Sequence, residues 1–220
     1  MTKLYEALLF DLDGTLTDSK EGIVNSVQYV LSKYGIIEER QETLNSFIGP
    51  PLYESFQKYY SFDEVEAKRS VSYYREYYKE RGIYENKVYP KIPELLSELK
   101  KQGYELIVAT SKPSVFAKRV LNYFELHHYF SEIIGSELDG VRSSKADAID
   151  YILSKLVIKP ELYVAMIGDR EHDIIGAREN GIDSIGVTYG YGTLEEIRAA
   201  EPRYIVQSVD ELGELLLPTR

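Results

Sequence analysis

Three short runs of consecutive apolar residues stand out along the chain, and each predicts a strand that is buried on both faces. They lie at 7–10, within a strand predicted at 4–10, and at 106–109 and 163–167. Continuously apolar runs of this length are typical of central strands in a parallel sheet, because helices cover both sides of such a sheet. Each run ends in a polar cluster: DLD at 11–13, TSK at 110–112 and GDR at 168–170.

Helical patterns separate these runs, at 93–102, 114–124 and 173–180. Alternating strands and helices predict an α/β protein with a Rossmann-like, doubly wound parallel sheet. In such a sheet ligands bind beyond the carboxyl ends of the strands, where the strand order reverses. We therefore expect the three polar clusters to face one crevice.

The segment from 19 to about 81 has no comparable strand pattern. Helical spacing covers 23–34, 39–47, 52–60 and 63–79, and Asp18-Ser19-Lys20-Glu21 has the composition of a capping box. We predict an all-α cap domain at 18–83, inserted into an α/β core formed by 1–17 and 84–220. Tyrosines at 73, 74, 77 and 78 form one face of its last helix, which either packs within the domain or lines a substrate crevice.

The composition narrows the functional class. A net charge of -10, spread along 220 residues, argues against binding of a nucleic-acid polymer and means that an anionic substrate needs a local cation. The absence of cysteine excludes disulfides, thiolate metal sites and cysteine nucleophiles. The short apolar N-terminal stretch predicts neither a membrane span nor a cleaved leader. We expect a cytoplasmic protein that is a monomer or a weak homodimer.

Carboxylates dominate the predicted crevice. Asp11, at the end of the first strand, can be a nucleophile, because carboxylates form aspartyl phosphates. Asp13 can turn back over the same crevice, and Gly14 allows positive φ or a close approach to a ligand. Together with Asp169 they offer the oxygen ligands that Mg²⁺ prefers. The D-x-D-G sequence is also a common turn composition.

The other polar clusters complement a phosphate group. Thr110 and Ser111 offer hydroxyl and N–H groups for phosphate oxygens, or alternatively cap a helix. Lys145, at the predicted start of a helix, supplies a compact positive charge, although a single lysine is most often solvated. Asp173 is either the N-cap of the helix predicted at 173–180 or a support for a metal site.

The order of these motifs resembles one known family. FDLDGTLTDS at 10–19, VATSK at 108–112, Lys145 and GDREHD at 168–173 occur in this order, with a helical insertion after the first. They closely resemble the haloacid dehalogenase superfamily, in its phosphatase branch with a helical cap. The resemblance covers essentially the whole chain. It implies hydrolysis of a small phosphate ester with Mg²⁺ as the cofactor.

The resemblance also implies a role for each matching residue. Asp11 would attack phosphorus, and Asp13 would protonate the leaving oxygen and later deprotonate the attacking water. Mg²⁺ would be held by Asp11, the backbone carbonyl of Asp13 and Asp169, with Asp173 in support. The residues that would bind the phosphoryl group are Gly14, Thr110, Ser111 and Lys145.

The substrate is less closely defined. FIGPPL at 47–52 looks like the loop with which phosphoglycolate phosphatases and related 5'-nucleotidases close on the leaving group, which makes Gly49 a candidate substrate-binding residue. Gly-Pro-Pro is also a rigid turn between helices. A phosphoglycolate phosphatase-like activity is the first expectation, with a 5'-nucleotidase or a sugar-phosphate mutase as alternatives. Cap closure would use hinges at 17–20 and 81–86.

Two hypotheses of other classes remain open. Gly190-Tyr191-Gly192 follows the strand pattern at 185–187 and precedes a helical pattern at 194–200, as in a dinucleotide-binding redox domain. Glu195 stands where that motif needs its third glycine. The chain could also be an inactive relative that only binds, although competent residues occupy every catalytic position.

Overall fold

The computed structural model describes residues 3–156 and 163–217 and divides the chain into two compact units. Met1–Thr17 and Val88–Arg220 form the first unit, and Asp18–Lys87 forms the second. The return to the first unit therefore comes after Lys87 and not after residue 83. Glu85 explains the difference, because its backbone and side chain bond within the second unit, to Gly22 N, Asn25 Nδ2 and the Tyr77 hydroxyl.

The first unit is built on a six-stranded parallel sheet. In chain order the strands of the described chain are β1 (Ala7–Phe10), β2 (Thr17–Asp18), β3 (Lys87–Val88), β4 (Glu105–Pro113), β5 (Glu132–Ser136), β6 (Val164–Gly168), β7 (Asp183–Val187) and β8 (Tyr204–Val206). The large sheet has the order β5-β4-β1-β6-β7-β8. This order confirms the doubly wound, Rossmann-like fold. The strands β2 and β3, where the chain leaves and re-enters the first unit, pair as a separate two-stranded sheet.

The strand order reverses beside β1. The chain runs outwards from β1 to β4 and β5, then returns to place β6 on the other side of β1. In the register, Phe10 lies beside Val108 of β4 and beside Ile167 of β6. The residues that follow these three strands therefore meet at the topological switch point, where open α/β sheets bind their ligands.

The helices of the described residues lie close to the predicted positions, except the one at 209–216, which the sequence patterns did not predict. They are α1 (Lys20–Lys33), α2 (Gln41–Asn45), α3 (Leu52–Tyr60), α4 (Glu64–Tyr77), α5 (Ile92–Lys101), α6 (Ser114–Tyr123), α7 (Lys145–Lys155), α8 (Glu171–Glu179), α9 (Leu194–Ala199) and α10 (Val209–Leu216). A π-helix at Tyr78–Gly82 follows α4, and a short 3-10 helix lies at His127–Tyr129. None of the helices described is long and apolar enough to cross a membrane.

Burial explains the apolar runs. All four residues of β1 have zero exposure, and Leu9 packs with Ile107 of β4 and Met166 of β6 in one core cluster. A strand with neighbours on both edges and helices on both faces has no solvated side, so alternation of polar and apolar residues is absent. The predicted central position of β1 is confirmed.

The tyrosines of α4 and the π-helix pack within the second unit. Tyr74 and Tyr78 are buried and stack on each other, with 5.4 Å between ring centroids. Tyr77 is partly exposed and packs on Tyr29 of α1, with ring centroids 5.5 Å apart. The packing interpretation of this aromatic face is therefore confirmed.

The predicted capping box at the start of α1 is wrong. Ser19 is the N-cap of α1, but its side chain makes no capping hydrogen bond, and its buried hydroxyl has no hydrogen-bond partner. The capping box of the second unit lies instead at the start of α4. There Asp63 accepts from the Glu66 backbone N–H, and the Glu66 carboxylate accepts from the Asp63 N–H.

Candidate active site

Asp11 and Asp169 lie at the carboxyl ends of the two strands that flank the switch point. Asp11 follows β1, and its backbone N–H donates to Ile167 O of β6 at 2.9 Å. Asp169 follows β6 and is fully buried, with α8 beginning only at Glu171. The sheet therefore brings together two carboxylates that are far apart in the sequence, as the sequence predicted.

Lys145 connects Asp11 to Asp173. It is the first residue of α7, directly after the N-cap Ser144, and only 5% of it is exposed. Its Nζ lies 2.7 Å from Asp11 Oδ1 and 2.8 Å from Asp173 Oδ1. The same Nζ donates to Ala109 O of β4 at 2.9 Å. Lys145 is therefore not a solvated lysine, and the predicted cation lies in contact with the candidate nucleophile.

Asp13 is paired with a different lysine. Lys112, at the carboxyl-terminal end of β4, places its Nζ 2.8 Å from Asp13 Oδ1 and 2.6 Å from Asp13 Oδ2. Both side chains are largely buried. Asp11 and Asp13 therefore pair with different ammonium groups, and Lys145 is shared between Asp11 and Asp173.

Asp169 is held by the chain on both of its carboxylate oxygens. Oδ1 accepts a hydrogen bond from the Thr15 hydroxyl at 3.2 Å, and Oδ2 accepts from the Tyr191 backbone N–H at 2.8 Å. Gly14 has a φ of 90°, and a Cβ there would lie 2.2 Å from Asp169 Oδ2. The predicted positive φ of Gly14 is confirmed, and the group that approaches it in this structure is Asp169.

Asp173 is not the N-cap of α8, which is Arg170. Asp173 lies in the first turn, where its Oδ2 accepts from the Arg170 backbone N–H at 3.1 Å. Its other oxygen faces Lys145. In the first turn, Asp173 can stabilise the N-terminus of the helix. It can also belong to the cluster of buried carboxylates at the same time.

Thr110 and Ser111 lie within β4 and not after it. The pairing of β4 with β5 shifts between Ala109 and Pro113, so these residues occupy an irregular stretch at the end of the strand. Pro113 is the N-cap of α6, and α6 has no side-chain cap. The alternative that Thr110 or Ser111 caps this helix is therefore wrong. Thr110 is instead buried.

Gly49 belongs to the second unit, between α2 and α3. Its φ of 106° lies in the region that favours glycine. The predicted turn between two helices is therefore present. The α3 helix begins directly after Pro51, which serves as its N-cap.

Burial of like charges sets the electrostatics of the cluster. Loss of water raises the pKa of Asp11 to about 6, although Lys145 opposes this shift. Burial, together with repulsion from Asp11 and Asp173, raises the pKa of Asp169 well above its usual range. Burial alone would lower the pKa of Lys145, but attraction by Asp11 and Asp173 outweighs it and raises that pKa. The single lysine does not balance three carboxylates.

The donor set of this cluster fits Mg²⁺. Among the described residues, Asp11, Asp169 and Asp173 each offer one oxygen, and these oxygens lie within 4.8 Å of one another. Asp11 Oδ1 and Asp173 Oδ1 are buried without a hydrogen bond of good geometry, although both face Lys145. Hard carboxylate oxygens with unfilled acceptor capacity and excess negative charge are suited to a divalent cation.

Sequence reasoning missed three groups that support the site: Lys112, Thr15 and the Tyr191 N–H. Lys112 was visible in the third position of the Thr-Ser-Lys cluster, and Thr15 directly follows Gly14. Neither position showed which carboxylate it would contact, because the contacts join segments about 100 or more residues apart. Backbone donors such as the Tyr191 N–H leave no signal in the residue type.

The glycine-containing loop at 190–192 does not support the dinucleotide-binding hypothesis. A Cβ on Gly190 would lie 2.4 Å from Asp169 Cβ, and a Cβ on Gly192 would lie 2.0 Å from Asp169 O. The space beside these glycines is therefore occupied by the protein's own Asp169. A pyrophosphate-binding loop needs its glycines to admit the ligand.

Known proteins resemble the chain over nearly its full length. Residues 8–187 match the family model described as haloacid dehalogenase-like hydrolase. A 5'-nucleotidase of Pseudomonas aeruginosa is 46% identical, with 96% of each chain covered. Tyrosine-protein kinase PtkA of Mycobacterium tuberculosis is 36% identical over 96% of this chain and 72% of its own length. A phosphoglycolate phosphatase of Vibrio parahaemolyticus is 27% identical, with 95% of each chain covered.

A solved structure agrees with this result. The crystal structure of a predicted phosphatase from Clostridium acetobutylicum is 55% identical, covers 96% of this chain and 97% of its own, and has a TM-score of 0.92. A sequence identity of this size over nearly the whole chain shows that the two proteins share more than their fold. The chain belongs to the haloacid dehalogenase-like hydrolase family and is a phosphatase.

Proposed function

We propose that this phosphatase is a Mg²⁺-dependent phosphomonoesterase that acts on small soluble phosphate esters through an aspartyl phosphate. The observation that carries the proposal is the buried cluster of Asp11, Asp169 and Asp173 at the switch point of the sheet, in which Lys145 pairs with Asp11 and Asp173. A carboxylate nucleophile beside an ammonium group and a cation-binding cluster is the arrangement that phosphoryl transfer requires.

The first half of the reaction uses Asp11 and Asp13. An Asp11 carboxylate oxygen attacks phosphorus in line with the leaving oxygen, and the bond from phosphorus to that oxygen breaks. Asp13 donates a proton to the departing oxygen, which leaves as an alcohol. Lys145, in contact with Asp11, stabilises negative charge on the phosphoryl oxygens together with Thr110 and Ser111. Gly14 lets the backbone pass close to Asp169, a proposed metal ligand.

The second half regenerates the enzyme. Asp13, now a carboxylate, removes a proton from water, and the water oxygen attacks phosphorus. The bond from phosphorus to Asp11 breaks, which releases inorganic phosphate and restores the Asp11 carboxylate. Lys112 keeps the Asp13 carboxyl group in one position for both proton transfers.

Mg²⁺ would be held by Asp11, the Asp13 backbone carbonyl and Asp169. Asp173 would help to orient these ligands. Bound Mg²⁺ would supply positive charge beside the phosphoryl oxygens and beside the carboxylate that attacks phosphorus. Lys145 remains in place in this scheme, because a divalent ion and one ammonium balance the three carboxylates of the cluster.

The leaving group is proposed to be a nucleoside. The relative named as a 5'-nucleotidase is 46% identical, whereas the phosphoglycolate phosphatase is 27% identical. This difference favours nucleoside 5'-monophosphates over phosphoglycolate, which the sequence alone put first. We further propose that the helical unit, 18–87, acts as the cap and that the loop at Gly49 contributes to the choice of leaving group.

A panel of phosphate esters tests the substrate proposal. Purine and pyrimidine 5'-monophosphates, phosphoglycolate, sugar phosphates and phosphotyrosine are assayed for released phosphate with Mg²⁺. We expect kcat/KM for at least one 5'-monophosphate to exceed that for phosphoglycolate by about tenfold or more, which corresponds to about 1.4 kcal/mol of selective binding. A preference for phosphoglycolate, a sugar phosphate or phosphotyrosine would contradict the proposal.

A further inference from the structure

The loop at 189–192, between β7 and α9, surrounds Asp169. Tyr191 donates its backbone N–H to Asp169 Oδ2 at 2.8 Å, whereas the Thr15 hydroxyl donates to Oδ1. The loop begins directly after Thr188, whose backbone N–H donates to Val206 O of β8. The loop is thus anchored to the sheet at one end and ends at Thr193, the N-cap of α9.

Two glycines let this loop lie directly against Asp169. A Cβ on Gly190 would lie 2.5 Å from Asp169 Oδ2 and 2.3 Å from Gly14 O, and a Cβ on Gly192 would lie 2.0 Å from Asp169 O. These distances are far below van der Waals contact. Any side chain at Gly190 or Gly192 would therefore displace either the loop or Asp169.

Tyr189 completes a closed set of hydrogen bonds around the carboxylate. Its hydroxyl donates to Thr15 O at 3.1 Å, and the Thr15 hydroxyl in turn donates to Asp169 Oδ1 at 3.2 Å. The Tyr189 ring is itself fixed by an edge contact with Tyr89, with 5.1 Å between centroids. Thr15 is fully buried, so its position depends on these contacts and not on solvent.

We propose that the loop at 189–192 is a positioning element that holds Asp169 in the geometry for Mg²⁺, with Tyr189 acting through Thr15. The proposal deepens the proposed function and rests on it, because it assumes that Asp169 is a metal ligand. Groups that hydrogen-bond to metal ligands orient them, and their loss weakens metal affinity by about 10- to 100-fold. Tyr189 acts one bond further away, so a smaller effect is expected.

The variant Tyr189→Phe tests the proposal, because it removes only the hydroxyl and keeps the ring contact with Tyr89. The matched control is Tyr104→Phe, since the Tyr104 hydroxyl also donates to a backbone carbonyl, that of Leu216, in the same unit. Binding of Mg²⁺ alone is measured by titration calorimetry, and the unfolding midpoint is measured in EDTA. We expect Tyr189→Phe to raise the Kd for Mg²⁺ about 3- to 10-fold and Tyr104→Phe to leave it unchanged.

The two variants separate positioning from general stability. Each loses one hydroxyl donor, so both unfolding midpoints in EDTA are expected to fall, and a merely structural role would leave both Kd values at the wild-type level. That result would overturn the positioning role while leaving the proposed function intact. A wild-type protein that binds no Mg²⁺ would overturn both proposals, so the two failures are distinguishable.

A second pair of variants tests the close approach itself. Gly190→Ala adds a methyl group against Asp169, whereas Gly213→Ala in α10 meets its nearest side-chain atom at 3.6 Å, an ordinary contact. We expect Gly190→Ala to raise the Kd for Mg²⁺ by about 10-fold or more and Gly213→Ala to leave it unchanged. A folded Gly190→Ala protein with wild-type Mg²⁺ affinity would overturn the proposal.

Discussion

Asp11 and Asp13 are close in sequence, but each of them pairs with a different lysine. Asp11 faces Lys145, which also contacts Asp173, and Asp13 faces Lys112. Each ion pair is largely buried, so neither is strongly screened by water. The two carboxylates therefore have different surroundings. Such a difference is needed if one of them is to be a nucleophile and the other a proton carrier.

The variant Lys112→Met tests the role of this difference in catalysis. Removal of the ammonium leaves the Asp13 carboxylate without the group that fixes it near the leaving oxygen. Because positioned proton transfer contributes about 10²- to 10⁴-fold to rate, we expect kcat to fall by about 10- to 100-fold. Steady-state phosphate release with saturating Mg²⁺ and substrate measures the change.

The control for this variant is Lys91→Met. Lys91 also pairs with an aspartate, Asp210, but both side chains are more than half exposed. An exposed pair of this kind has little effect on the rest of the protein, so kcat should stay at the wild-type value. Equal kcat values for wild type and Lys112→Met would show that Asp13 needs no partner.

The helix starts of the second unit show how local composition and local structure diverge. Both Asp18-Ser19-Lys20-Glu21 and Asp63-Glu64-Val65-Glu66 have capping-box composition, but only Asp63 caps its helix. Asp18 instead accepts from the Lys20 N–H at 3.4 Å, and Ser19 is buried. Ser19 lies where the chain enters the second unit, so its conformation follows the tertiary path of the chain and not the cap preference.

We expect Asp63→Ala to lower the free energy of unfolding by about 1 kcal/mol, because it removes a formed N-cap. Ser19→Ala is the matched variant at α1, and it should leave stability unchanged or slightly raised, since the buried hydroxyl it removes has no partner. Urea denaturation followed by circular dichroism measures both. A loss of about 1 kcal/mol for Ser19→Ala would show that its hydroxyl does cap the helix in solution.

At the scale of the whole molecule, the sheet topology assembles the site. The reversal of strand order beside β1 brings residues 11 and 169 together across more than 150 positions of sequence, and the helical segment 18–87 is inserted without interrupting the sheet. The proposed catalytic residues, Asp11 and Asp13, are therefore supplied by one unit. The second unit is thereby left for its proposed role in selecting the leaving group.

Much of this architecture could be predicted because it depends on burial. Apolar runs without alternation identify central parallel strands, and the polar clusters that end them identify the functional edge. The partners of Asp13 and Asp169 could not be predicted in the same way. Lys112 reaches Asp13 because of the irregular end of β4, and the Tyr191 N–H reaches Asp169 because Gly190 admits the loop.

Local sequence patterns also could not place the boundary between the two units after Lys87. Residues 84–87 resemble a linker in sequence, and only the tertiary bonds of Glu85 assign them to the helical unit. The same limit applies to Asp173, whose place in the first turn of α8 depends on where the helix begins. Local propensity leaves such ends uncertain by one or two residues.

The central claim, that Asp11 is the nucleophile of a Mg²⁺-dependent phosphatase, is tested most directly by phosphate release from an aryl phosphate by Asp11→Asn. The control is Asp150→Asn, since Asp150 is exposed on α7. Wild type and Asp150→Asn should turn over equally with Mg²⁺ and lose activity reversibly in EDTA. Asp11→Asn should be slower by about 10³-fold or more, as expected when a covalent nucleophile is removed. A folded Asp11→Asn protein with wild-type turnover would contradict the account.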